Sequence, residues 1–238
     1  LSLPVNQSIW GLLIVLFIAM VVVSQFMLTF GSDPNAKVTK KSKSPLSFHP
    51  IALIFGLLSF VSYLVEGAVG DWSALYLFED KGILIEEAVM GVMLFNGTMC
   101  IGRLLGNRLG KHLTSKQVVV GGYLLGSIAM GLIVFLPGHA SMYTYLLLGI
   151  SLAMIVPNLF SAMGEQNVIP MTQAVATSTM LGYMGILMGP ALIGFIAHGT
   201  SLTVAFIVLT ILLVVSAGIG KYAYHLMSKD CGLSEEQI

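Results

Sequence analysis

Seven stretches of the chain stay apolar long enough to cross a hydrocarbon core of about 30 Å, which takes about 20 helical residues. They run Ile9–Phe30, Pro50–Val69, Ala88–Leu109, Val118–Leu136, Met142–Met163, Ala174–Ala197 and Leu202–Tyr222. Continuous apolar runs predict helices, because barrel strands would alternate about every second residue. Two polar interruptions are longer than the rest, 31–49 and 78–87. In the first, Gly, Ser, Asp, Pro, Asn and Lys replace the apolar run, the composition of a solvated linker. The pattern therefore divides into a transmembrane helix at 1–30, a linker at 31–49, a six-helix bundle at 50–225 and a tail at 226–238. Spans two to four and five to seven would form two units of opposite orientation, the layout of inverted repeats.

Composition agrees with an all-α membrane protein. Hydrophobic residues make up 56% of the chain and charged ones 9%, against about 25% charged in a soluble domain. The mean hydropathy is +0.92. Net charge is zero, so no global basic field invites a nucleic acid. Neither Cys100 nor Cys231 belongs to a metal-ligand pattern, and no cofactor is implied. Of the 11 basic residues, only Lys81 falls on one side. The others follow the first span (Lys37, Lys40, Lys41, Lys43), surround the third-to-fourth connection (Arg103, Arg108, Lys111, Lys116) or follow the seventh span (Lys221, Lys229). The positive-inside rule makes those regions cytoplasmic, with the C-terminus inside a cell membrane. Because the chain starts at Leu1 and its first apolar run lacks a preceding basic region, it is expected to be a fragment whose first run is a span.

Glu66 is the carboxylate clearly inside a span. Sixteen residues after Pro50, it lies about 24 Å along the helix, toward the outer side. An intramembrane acid faces a cavity or a partner, and a raised pKa would let it exchange protons. Proton or substrate coupling stands beside a structural hydrogen bond as its role. Asn96 has a depth compatible with facing Glu66, where its amide could bind substrate hydroxyls or join two helices. Pro157 removes a backbone donor from the fifth span, and Asn158 could satisfy the freed group or point into a cavity. Tyr63 and Tyr183 lie deep enough to meet a ligand. Trp10, Trp72, Tyr76, Tyr143, Tyr145 and Tyr222 fall near span ends, as interfacial aromatic residues do.

At the end of the third span, Gly102, Gly106 and Gly110 recur every fourth residue, a face that admits another backbone. Arg103, Asn107, Arg108, Gly110 and Lys111 accompany them, and the stretch resembles a signature of the major facilitator superfamily, in its copy between helices eight and nine. Asn107 stands where the signature carries an acid, and Arg103 where it opens with glycine. An amide there can hydrogen-bond but cannot form the ion pair. Glu66-Gly67-Ala68-Val69-Gly70-Asp71-Trp72-Ser73 and the glycine-rich run from Gly182 through Pro190 to Gly194 resemble helices seven and eleven of a bacterial branch related to sugar permeases.

The resemblance implies helices six to twelve, that is, a C-terminal six-helix bundle with one preceding helix from the N-terminal half. It also implies a secondary transporter moving a small polar solute by alternating access, with protons as a coupling ion through Glu66. Tyr63, Glu66, Asn96, Asn158 and Tyr183 become substrate-site candidates, and Arg103 to Lys111 a cytoplasmic gate. The expected partners are the lipid bilayer, the absent N-terminal half and the solute. A heptahelical receptor has the same span count and orientation, but there is no Asp-Arg-Tyr at an inner helix end. No paired acids or His-Glu pattern supports an enzyme.

Overall fold

The structure, a computed structural model, describes residues 13, 14, 17, 18, 20, 21, 24, 46–109, 113–166 and 168–231. The described positions of the first predicted span are helical, and the rest of it and 31–45 lie outside the described residues. The chain divides into two compact units, 1–43 and 44–238. The second contains α1 (Pro50–Glu79), α2 (Ile85–Leu109), α3 (Ser115–Phe135), α4 (Gly138–Ala153), α5 (Ile155–Glu165), α6 (Met171–Gly199) and α7 (Leu202–Cys231). Among the described residues these make six helices long and apolar enough to cross a membrane, α4 and α5 counting as one.

Local chemistry sets the helix ends. Pro50 opens α1 where its missing N–H costs nothing, and the His49 side chain accepts from Ile51 N. The preceding segment is pinned to α6: Ser47 N donates to Thr177 Oγ1 at 2.9 Å, and that hydroxyl donates back to Ser47 O. Thr114 and Gln117 form a reciprocal capping box on α3. At its other end Lys81 donates to the carbonyls of Val134 and Leu136, the latter at 2.9 Å, in the manner of a basic residue at a helix C-terminus. Burial lowers the Lys81 pKa from its usual value, against the opposing charge of Asp80.

Two boundaries differ from the sequence pattern. α1 does not stop at Val69 but runs to Glu79. Polar Gly70 and Asp71 look like a membrane edge in sequence, yet both are exposed, while Ser73, Tyr76 and Leu77 continue the buried stripe of the same helix. α7 likewise runs past the expected bundle edge at 225, with Met227 fully buried.

The fifth predicted span does break, at Met154 between α4 and α5. Pro157 cannot donate to the carbonyl four residues earlier, so the ladder fails at Ala153 and the bend lies just before the proline. Both the backbone N–H and the side-chain Nδ2 of Asn158 then bind Met154 O, at 3.2 and 2.8 Å.

The helices pack as α1 with α6, α3 with α7, α2 with α4, α3 with α4, α1 with α2 and α1 with α7. Exchanging the first three spans for the last three turns the α1–α6 pair into α4–α2 and the α3–α4 pair into α7–α1. The α3–α7 pair maps onto itself, so these pairs follow the pairing that two inverted three-helix units produce, while α1–α2 has only the slighter α5–α6 contact as its counterpart.

The α1–α6 contact is a seam of small residues. Ser178, Gly182, Gly185 and Gly189 share one stripe of α6. Ser178 Oγ lies 2.9 Å from Ser59 Oγ. A Cβ on Gly185 or Gly189 would collide with the carbonyls of Phe60 or Leu64. Ile186 O, deprived of its helical donor by Pro190, faces Gly67. The Trp72 indole donates to Pro190 O at 3.0 Å. Tyr76 and Tyr145, expected near an interface, are fully buried: α1 continues and carries Tyr76 inward, and Tyr145 of α4 packs beside Gly91 of α2.

Candidate functional site

The site is built on the middle of α1. Glu66 is thirteen residues from the Glu79 end, or about 20 Å at the helical rise. Lengthening α1 thus moves Glu66 from the outer third, where the sequence pattern sets it, to near the centre of its helix. Arg103 is eighteen residues along α2 from Ile85, about 27 Å from the same side. Its side chain spans the remaining offset: Arg103 Nη2 donates to Glu66 Oε2 at 3.1 Å and reaches Oε1 at 3.4 Å. Arg103, expected among the charges at the cytoplasmic edge, is thereby the partner of the intramembrane acid. Its neighbours Gly102 and Gly106 seat α2 on α4, against Ala153, Ile150 and Met154.

One turn before Glu66, the Tyr63 ring lies against Gly182 of α6 and stacks with Tyr183, with centroids 6.1 Å apart and planes 8° from parallel. The glycine admits the ring where any side chain would exclude it. Tyr63, Glu66, Arg103 and Tyr183 therefore form one patch contributed by α1, α2 and α6. The patch is open: the Arg103 and Glu66 side chains are 44% and 22% exposed, and Tyr183 is 61% exposed. Leu104, Met184 and Leu187 are exposed beside it on α2 and α6. It offers carboxylate acceptors, guanidinium donors and an aromatic surface within one concentrated area.

Asn96 does not meet Glu66. Its Nδ2 donates to Val92 O at 3.0 Å on its own helix, and the residue is exposed two turns from Arg103. Asn158 is equally local, bound to Met154 O. Within the gate stretch, the side chains of Asn107 and Arg108, and all of Gly110 and Lys111, lie outside the described residues. Among the described residues no cluster of His, Cys, Asp and Glu could hold a metal.

Two relatives and one solved structure give this geometry a context. The chain is 41% identical over 168 residues to an uncharacterised MFS-type transporter of Yersinia pestis, covering 69% of this chain and 43% of that protein. It is 31% identical to the membrane protein MosC of Rhizobium meliloti, over 63% of this chain and 37% of the relative. The fold resembles a crystal structure of a variant of the Escherichia coli fucose:proton symporter, with a TM-score of 0.65 at 16% identity, covering 74% of this chain and 43% of the symporter. No family model matches the chain. The chain spans less than half the length of these relatives, and what it matches is roughly their C-terminal half. These are transporter and membrane proteins, so a heptahelical receptor is not favoured. With six spans, the pairing of inverted repeats and these similarities, the chain is similar to MFS-type transporters and has the six-helix fold of roughly their C-terminal half.

Proposed function

We propose that the chain is the C-terminal half of a secondary active transporter that moves a small polar solute by alternating access, with Glu66 and Arg103 at the substrate-facing surface. The observation that carries this reading is the ion pair between α1 and α2, near mid-helix and on an open face. Charged side chains at such depth are costly toward lipid and are kept where they face protein or a water-filled cavity. A second bundle laid over this face, as N-terminal half with 1–30 as its last helix and 31–49 as the connection, would convert it into that cavity. The symporter with the similar fold is named for fucose and protons, which favours a polyhydroxylated solute and a proton as the coupled pair. The Lys-rich ends of the spans then face the cytoplasm of a cell membrane, with the C-terminus inside.

In this mechanism Glu66 and Arg103 alternate partners. A proton arriving on Glu66 neutralises the carboxylate and frees the guanidinium to hold a substrate oxygen, while Tyr63 and Tyr183 offer their rings to the apolar face of the solute. Loss of the proton restores the ion pair and weakens the hold on substrate. The test is transport by the complete protein in proteoliposomes. Glu66→Gln should abolish accumulation driven by a pH gradient while leaving solute exchange at least partly intact, and Glu66→Asp should retain some coupling. If Glu66→Gln accumulates solute with the wild-type response to the gradient, the ion pair is a structural tie between α1 and α2 instead.

A further inference from the structure

We propose that a groove between α3 and α7 binds an anionic glycerophospholipid. The groove encloses about 630 Å³. At one end stand Lys116 of α3 and Lys221 of α7, two cations distant in sequence that the fold brings to the same opening. Gln117 lines the same groove; its Oε1 accepts from Thr114 N in the capping box, which leaves its amide nitrogen as the donor it can present. Further along α3 the floor is Val120, Gly121 and Leu124. A Cβ on Gly121 would meet nothing within 4 Å, so this glycine keeps a trough open without serving helix packing at that point. Beyond it both helices expose apolar side chains, Ile128 on α3 and Val214 and Val215 on α7, a surface suited to acyl chains.

The polarity of the groove selects the occupant. One end is doubly cationic and the remainder apolar, matching a phosphate headgroup joined to a fatty chain; basic pockets between transmembrane helices recognise lipid headgroups in this way. A soluble anion would match the charge at one end and leave the trough unfilled. A second trough of about 340 Å³ on the other flank of α3 shares Gln117 and Gly121 but has no cation in its lining. It could take a chain and has nothing to hold a headgroup, which fixes the headgroup end at Lys116 and Lys221.

The test is native mass spectrometry of the full chain in detergent with phosphatidylglycerol, phosphatidylcholine or soluble glycerol phosphate. Phosphatidylglycerol should remain bound where phosphatidylcholine is lost, and glycerol phosphate should not displace it. With each basic residue contributing about fivefold, the double variant K116Q/K221Q should weaken retention about 25-fold. Gly121→Leu, which keeps both lysines and fills the trough, should also weaken it, and Lys229→Gln should leave it unchanged. Wild-type retention by K116Q/K221Q, or an equal loss in Lys229→Gln, overturns the site in favour of diffuse surface charge. Full displacement by glycerol phosphate overturns it in favour of a soluble anion, and equal retention of phosphatidylcholine removes the headgroup role. Should Gly121→Leu aggregate, the surface pair K116Q/K221Q decides the matter.

Discussion

Tyr123 illustrates how single hydroxyls tie this bundle together. It is fully buried, donates to Leu58 O at 2.7 Å and lies 2.8 Å from Ser62 Oγ, joining α3 to α1. Tyr123→Phe should destabilise the bundle by about 0.6–1.7 kcal/mol, the range for polar contacts between transmembrane helices, as read from unfolding of the purified chain in mixed micelles. At the ion pair, a double-mutant cycle of Glu66→Gln and Arg103→Gln should show non-additivity, because each single change strands the other group at mid-helix; additive effects would mean that the two side chains do not interact. Of these residues the sequence makes Glu66, Tyr63 and Tyr183 visible, since an acid or a phenol deep in an apolar run stands out by depth alone. Arg103 stays hidden as a partner because ending α1 at Val69 sets Glu66 too far from it along the membrane normal. The amides of Asn96 and Asn158 leave two roles open in the sequence for a different reason: bonding to a backbone carbonyl of their own span satisfies them without any neighbour, and composition cannot tell this from a cavity-facing amide.

Between elements, glycine placement separates packing from open space. Gly185→Val would drive a side chain into the Phe60 carbonyl, backbone that cannot rotate away, and should cost about 3 kcal/mol or more, at the upper end of overpacking. Gly121→Ala enters empty space and should stay within about 0.5 kcal/mol of wild type; comparable losses for the two would refute the seam. The break at Met154 yields a second expectation. Pro157→Ala restores the donor that Ala153 O lacks, so spin labels on either side of Met154 should move farther apart as α4 and α5 align. The existence of every described span, and the bend near Pro157, could be read from apolar length and proline chemistry. The far ends of α1 and α7 could not, because buried and exposed stripes alternate there and their average polarity resembles a loop.

For the molecule as a whole, the charge pattern predicts that Glu79 and Lys116 lie on opposite sides of the membrane. With Cys100 and Cys231 replaced by serine, an impermeant maleimide applied to intact cells should label Glu79→Cys and spare Lys116→Cys; the reverse result would invert the bundle. The pairing of α1 with α6 also bears on how the protein is made. Phe60 and Gly185, which meet at the seam, are separated by 125 positions of nascent chain. At about 5–20 residues per second, α1 waits about 6–25 s after its own synthesis before α6 leaves the ribosome. Arg103 follows Glu66 by only 37 positions, or about 2–7 s at the same pace. The acid in α1 can therefore meet its counter-charge long before the helix meets its main packing partner, so the ion pair is available to the growing chain ahead of the α1–α6 seam.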